Sequence, residues 1–304
     1  MKLFYADHFV LPLPPGHRFP MEKYARLRDT LRTSGLFAPE AFRVPDAAGN
    51  ADIVLAHDAA YLERVVAGTL DAAEQRRIGF PWSAQMVERS RRSAGATLAA
   101  CEAALSDTCA ANLAGGTHHA HRDFGSGFCV FNDAAIAALS LRRRGLARRV
   151  AIIDCDVHQG DGSAAILADE PEVFTFSMHG ARNFPFRKAC SNLDIELPDG
   201  TGDAAYLTEL DHGLDTVFNR FRPDFAIYLA GADPYADDRL GRLALSIAGL
   251  AERDARVFAA CRSAGIPVAI AMAGGYAHDI GDTVTIHANT VTAAARCFAT
   301  ARCD

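Results

Sequence analysis

The chain has 304 residues, half of them hydrophobic, and 31 Lys and Arg against 37 Asp and Glu give a net charge of −6. That length suits an α/β domain with a sizeable core, and the charge balance excludes the basic character of a nucleic-acid-binding protein. The amino terminus, Met1 to His8, lacks the apolar run and cleavage site of a signal peptide, and no uncharged stretch could span a bilayer; a cytoplasmic protein with no membrane partner is expected.

Lys2 to Ala6 reads as a first strand. The four prolines between Leu11 and Pro20 then force an irregular surface loop able to line a cleft, because each fixes φ and removes a donor. Tyr24 to Ser34 has helical periodicity closed by Gly35. Asp52 to Ala56 is short, apolar and β-branched, which predicts a strand, and a helix follows from Asp58 through Val66. Gly68 to Ser83 reads as a loop holding the only tryptophan, Trp82, which either covers the rim of the core or touches a substrate.

A long helix over Ala84 to Leu105 leads to a buried strand, Ala110 to Ala114. A helix from Ala134 to Arg143, a strand from Val150 to Ile153 and a short helix near Ser163 come next. The clusters Arg142 to Arg144 and Arg148-Arg149 suit a solvated helix end, where the dipole favours cations. Strands over Val173 to Ser177 and Leu193 to Leu197 precede a helix from Ala204 to Phe221 and a strand from Phe225 to Ala230. A helix from Leu250 to Ala264, a strand from Pro267 to Met272 and a last helix over Thr283 to Thr300 complete the chain. The eight cysteines (101, 109, 129, 155, 190, 261, 297, 303) show no Cys-x-x-Cys spacing and read as reduced core residues.

Apolar strands alternating with helices specify a three-layer α/β/α fold around a mainly parallel central sheet, with right-handed crossovers. No linker, repeat or low-complexity tract interrupts it, so residues 1–304 read as a single domain.

Ligands of such sheets bind outside the carboxyl ends of the strands. Four strands here end in chemically loaded turns: Gly115-Gly116-Thr117-His118-His119, Asp154-Cys155-Asp156-Val157-His158, Gly231-Ala232-Asp233 and Gly274-Gly275-Tyr276. Alternate residues on a strand face the same way, so Asp154, Asp156 and His158 should project together. Asp156, His158 and Asp233 offer two carboxylates and an imidazole, leaving open positions for water and a carbonyl as a catalytic Zn²⁺ site requires; the hard donor set also suits Fe²⁺ or Co²⁺. His118 and His119 would handle protons, with Asp154 and Asp161 as the available orienters, and Tyr276 could donate to a tetrahedral oxyanion. The reaction class is metal-assisted amide hydrolysis.

The stretches Gly115 to Ala120, Gly127 to Asp133, Asp154 to Gly162, Gly231 to Pro234 and Gly274 to Tyr276 resemble, in this order, the motifs of the histone deacetylase superfamily. That group includes bacterial acetylpolyamine amidohydrolases and acetoin-utilisation proteins and has the arginase/deacetylase-like fold. The resemblance implies that Asp156, His158 and Asp233 bind zinc, that His118 and His119 form a dyad with the second as principal base and then acid, and that Tyr276 polarises the acyl carbonyl. It also implies a structural potassium held by the Asp154 carboxylate and by carbonyls of Asp154, Asp156 and His158, with Ser177 and the Met178 carbonyl completing it. Phe128 and Phe184 would wall a tunnel for an acyl-lysine stem, and the Gly127 carbonyl would accept from the substrate amide. The expected substrates are acyl-lysine proteins or peptides, with acetyl or longer acyl groups, or acylated polyamines.

His17 to Tyr24 and Asp237 to Gly241 look most similar to class IV deacetylases and their bacterial relatives. Asp161 departs from the Asn common in that class, and nothing clearly matches the family's rim Asp that grips a peptide backbone. A binuclear manganese ureohydrolase would need further bridging carboxylates, yet Gly160 and Gly231-Ala232 stand at those positions. A non-catalytic regulatory homologue would be expected to have lost the Tyr, a dyad His or a metal ligand, and this chain retains all of them.

Overall fold

The computed structural model describes residues 1–299. Strands β1 (Lys2–Phe4), β2 (Phe42–Arg43), β3 (Cys109–Asn112), β4 (Val150–Asp154), β5 (Val173–Gly180), β6 (Leu193–Leu197), β7 (Phe225–Leu229) and β8 (Val268–Ala271) form one sheet. Their order is β2-β1-β3-β8-β7-β4-β5-β6, and every neighbouring pair is parallel. The helices are α1 (Lys23–Thr33), α2 (Asn50–Ala56), α3 (Ala59–Ala67), α4 (Ala72–Ile78), α5 (Ala84–Asp107), α6 (Asp133–Arg143), α7 (Asp161–Leu167), α8 (Asp203–Asp215), α9 (Ile247–Ser263) and α10 (Ile280–Ala299).

The central strands are apolar on both faces because helices cover both. Along β4 and β7, Ile152 and Ile227 join one core with Ile53, Ala96 and Ile136 from α2, α5 and α6. The alternate residues Ala151, Ile153, Ala226 and Tyr228 join a second core with Leu27, Leu31, Leu210, Phe258 and Phe298 from α1, α8, α9 and α10. Burying one isoleucine stabilises by roughly 1.5–3 kcal/mol, and Ile152, Ile153, Ile227 and Ile270 are all at most 1 % exposed.

Three local readings differ from the observed structure. Residues 52–56, expected as a strand, belong to α2, where Ile53 and Ala56 sit three apart on the buried face while Val54 points outward. The expected loop from Gly68 to Ser83 contains α4, started by a capping box in which Asp71 accepts from the Ala73 and Glu74 amides and Glu74 accepts from the Asp71 amide. The expected helix to Phe221 changes to a π-helical turn after α8, over Thr216–Phe221.

Trp82 is a packing residue. Its ring lies against Gly68 and its indole N–H donates to the Val65 carbonyl at 2.8 Å. Five of the seven described cysteines are buried, but Cys190 is exposed, so it is not a core residue. Thr300 and Cys303 lie outside the described residues.

Candidate active site

The four loaded turns follow β3, β8, β7 and β4, which are adjacent in that order at the centre of the sheet. Parallel pairing puts all four carboxyl ends on one edge, where the turns after β3, β4 and β8 line a cavity of about 600 Å³ and Asp233, after β7, is fully buried beside Asp156 and His158.

After β3 the chain turns through Gly115 and Gly116, and the turn is fixed from below by Asp133, the first residue of α6. The fully buried Asp133 carboxylate accepts from the Gly116 amide at 2.9 Å, the Thr117 amide at 2.7 Å and the Thr97 hydroxyl at 2.6 Å. His118 and His119 follow with ring centroids 4.2 Å apart. His118 Nδ1 donates to Asp154 Oδ2 at 2.6 Å, and His119 Nδ1 donates to Asp161 Oδ1 at 2.6 Å. Each bond fixes a tautomer and aims the other ring nitrogen elsewhere.

The two imidazoles differ electrostatically. Burial opposes a charge on His118, but the Asp154 and Asp156 carboxylates overcome it and carry its pKa up to about 9. Burial and the neighbouring His118 charge together push His119 down to about 4. One ring is therefore held cationic and the other neutral near neutrality.

Asp156, His158 and Asp233 present ligand atoms within 4.8 Å of one another. His158 Nδ1 is 2.8 Å from Asp156 Oδ1 and 3.3 Å from Asp233 Oδ2. Burial and the nearby Asp156 charge push Asp233 up to about 7, the strain of two carboxylates in one dry site. Asp233 Oδ2 is buried and accepts no hydrogen bond, while Oδ1 accepts from the Val157 amide at 2.9 Å. An orphaned buried oxygen beside a second carboxylate and an imidazole is what a divalent cation would satisfy, so the donor set fits a metal. A side chain at Gly274 would collide with Asp233 Oδ2, so the neighbouring turn must be glycine for this group to assemble.

Tyr276 follows that turn, 8 % exposed and lining the cavity. Burial pushes its phenol well above the usual value, which keeps the O–H a donor. Its amide donates to Asp238 Oδ2 at 2.6 Å, and Arg239 Nε donates to its carbonyl at 2.8 Å. Lys23 is buried under the same turn, its Nζ donating to the Ala273 and Gly275 carbonyls at 3.4 and 3.3 Å and lying 5.2 Å from the Tyr276 ring centroid.

Gly127, Phe128 and Phe184 line the same cavity. The Gly127 and Phe128 amides donate to the carbonyls of Arg77 and Ile78 at the end of α4, at 3.1 and 2.7 Å, so the helix absent from the sequence reading carries this wall. The Phe128 ring is 6.1 Å from that of Tyr276, and Phe184 stands edge-on to His119 at 4.9 Å. The Lys188 ammonium donates to the Asn183 and Pro185 carbonyls at 2.6 Å, tying the Phe184 loop. Ser177 and Met178 are buried in β5, with Ser177 in register with Asp154 of β4. Ser177 Oγ is also 3.0 Å from His179 Nδ1.

Asp133, Asp238, Lys23 and His121 were not among the expected site residues. His121 donates from Nε2 to the second oxygen of Asp161 at 3.0 Å, so that carboxylate holds two imidazoles. Its place two residues after His119 was the available signal.

A parallel α/β sheet with a histidine pair, a three-residue metal-type donor set and a buried phenol around one cavity defines the class, a deacetylase-like amidohydrolase fold. A model of the histone deacetylase domain matches residues 17–292, and the chain belongs to that family. It is 45% identical over 283 residues to an uncharacterised protein of Picosynechococcus, covering 93% of this chain and 94% of that one. Histone deacetylase 2 of Arabidopsis thaliana is 31% identical over 277 residues, covering 86% and 70%. A histone deacetylase homologue from Aquifex aeolicus superposes with a TM-score of 0.82 at 23% identity, covering 96% of this chain and 83% of that one.

Proposed function

We propose that this chain is a zinc-dependent, class IV-like cytoplasmic deacylase that removes acetyl or longer acyl groups from lysine side chains. The observation that carries this reading is the orphaned Asp233 oxygen beside Asp156 and His158, two residues that line one cavity with the oriented His118–His119 pair and Tyr276.

Asp156, His158 and Asp233 would hold the zinc ion, for which Fe²⁺ or Co²⁺ could substitute. When bound, the metal supplies Lewis-acid polarisation of the acyl carbonyl and a lowered pKa for water. His119, kept neutral, takes the proton from the attacking water through its free ring nitrogen, and Asp161 steadies the imidazolium that results. The same nitrogen then protonates the lysine amine as the C–N bond breaks. His118, its Nδ1 bonded to Asp154, stands beside His119 as the second member of the pair. Tyr276 donates to the oxygen on which negative charge develops, an interaction stronger in the transition state than in the ground state. Phe128 and Phe184 flank the aliphatic stem, and the Gly127 carbonyl accepts from the substrate amide. A structural potassium would be held by Asp154, Asp156, His158, Ser177 and Met178, an assignment supported by the register of Ser177 with Asp154.

A screen of acetyl-lysine and longer acyl-lysine peptides and of acetylpolyamines with the zinc-loaded protein tests the reading. Acyl release from a peptide with one zinc per chain is expected; release from none of the peptides, or two manganese ions per chain, would overturn it.

A further inference from the structure

The chain carries a net charge of −6, yet the mouth of its cavity is cationic. Arg18, Arg76, Arg77, Arg182 and Arg242 are exposed and line it, with Arg89 half-buried deeper in. Asp156 is the sole carboxylate among the lining residues, and it lies at the bottom in the metal-type group.

Neighbouring acids do not neutralise this ring. Arg182 and Arg242 share one carboxylate, Asp199, at 3.4 and 3.3 Å. Among the described residues no carboxylate lies within ion-pairing distance of Arg18, Arg76 or Arg77. Asp71 lies near the last two but is committed to capping α4. The dipole of α4 accounts for cations in its last turn, but Arg18 comes from the proline loop, Arg182 from the turn after β5 and Arg242 from the segment after β7. Four separate segments thus bring like charge to one opening, against the sign of the whole molecule.

Resting on the deacylase reading above, we propose that the mouth selects acyl-lysines set in acidic peptide sequence and disfavours polycationic carriers, basic peptides and acylpolyamines alike. Like charges at the mouth repel a cationic carrier before its acyl group reaches the tunnel, while carboxylates flanking the acyl-lysine meet unpaired guanidinium groups. Phe186, 85 % exposed at the same mouth, offers an apolar contact beside them.

The test uses one acyl-lysine with acidic, neutral or basic flanks, together with an acetylpolyamine, on the zinc-loaded full chain. We expect kcat/KM to fall from acidic to neutral to basic, by about tenfold across the series at low salt, and the contrast to shrink at high salt as screening sets in. The double variant Arg18→Glu/Arg76→Glu, changed at exposed positions, leaves three cations against two anions among the five exposed positions and should flatten the ranking. Fluorescence anisotropy of labelled peptides on the zinc-loaded Tyr276→Phe protein should give the same order without turnover. Hydrolysis of the neutral peptide with no acidic preference, or faster turnover of basic or polyamine substrates, overturns this inference alone. Release from no peptide overturns the deacylase reading and this inference with it.

Discussion

Replacing Asp133 with alanine removes the acceptor on which the His118–His119 turn rests. Four donors lose this acceptor, the Gly116 amide, the Thr117 amide and the Thr97 and Thr117 hydroxyls, all within 2.9 Å of a carboxylate that is 0 % exposed; the Thr117 hydroxyl keeps the Phe131 carbonyl, and the other three are orphaned. Each orphaned buried donor costs about 1–3 kcal/mol. The Thr97 hydroxyl can rotate and the loop can admit water, so the total should be about 3–5 kcal/mol, near the upper end for single substitutions. Asp133→Asn keeps one acceptor oxygen and turns an amide toward the other donors, so it should cost roughly half as much. Urea unfolding followed by circular dichroism gives both values, and acyl release reports on the displaced histidines. A loss below about 1 kcal/mol for Asp133→Ala, or an alanine variant with undiminished turnover, would show that the turn is held by something else.

Tyr276→Phe should keep its metal and lose about 10²–10³ in kcat, the usual effect of deleting an oxyanion donor; unchanged kcat would make the tyrosine structural. Asp233→Ala should fold, fail to retain zinc by elemental analysis and show no acyl release, whereas full metal occupancy would refute its role as a ligand. His57 should make the fold acid-sensitive. Its Nδ1 donates to the His121 carbonyl and its Nε2 accepts from the Asn132 amide, both at 2.8 Å, and burial lowers its pKa to about 4. The unfolded chain therefore binds the proton first, so stability present above pH 6.5 is lost as pH falls toward 4, by about 3 kcal/mol. Unfolding free energies across that window should fall more steeply in the wild type than in His57→Gln; parallel curves would remove His57 from the account.

The alternation of strands and helices was legible because the central strands are short, wholly apolar runs, which only a sheet covered on both faces can bury. The loaded turns were legible for a related reason, since strand ends are where a parallel sheet exposes chemistry. Asp-Ile-Val-Leu-Ala at 52–56 misled because β-branched content favours a strand, whereas Ile53 and Ala56 find the core at helical spacing. For α4 the capping box at Asp71 and Glu74 was readable, but a helix of seven residues between glycines gave too little periodicity to outweigh them. Lys23, Asp133 and Asp238 act through partners up to 252 residues away, and local pattern carries no trace of such pairings.

The strand order has a consequence for how the chain comes off the ribosome. β3 and β4 are separated in the finished sheet by β8 and β7, the last two strands to be made. Until they insert, a growing chain has a two-strand gap at its centre, with the unpaired edges of β3 and β4 open to other chains. Asp233 and Tyr276 ride in with these late strands, so a truncated product ending before β7 would hold both histidines and neither closing partner.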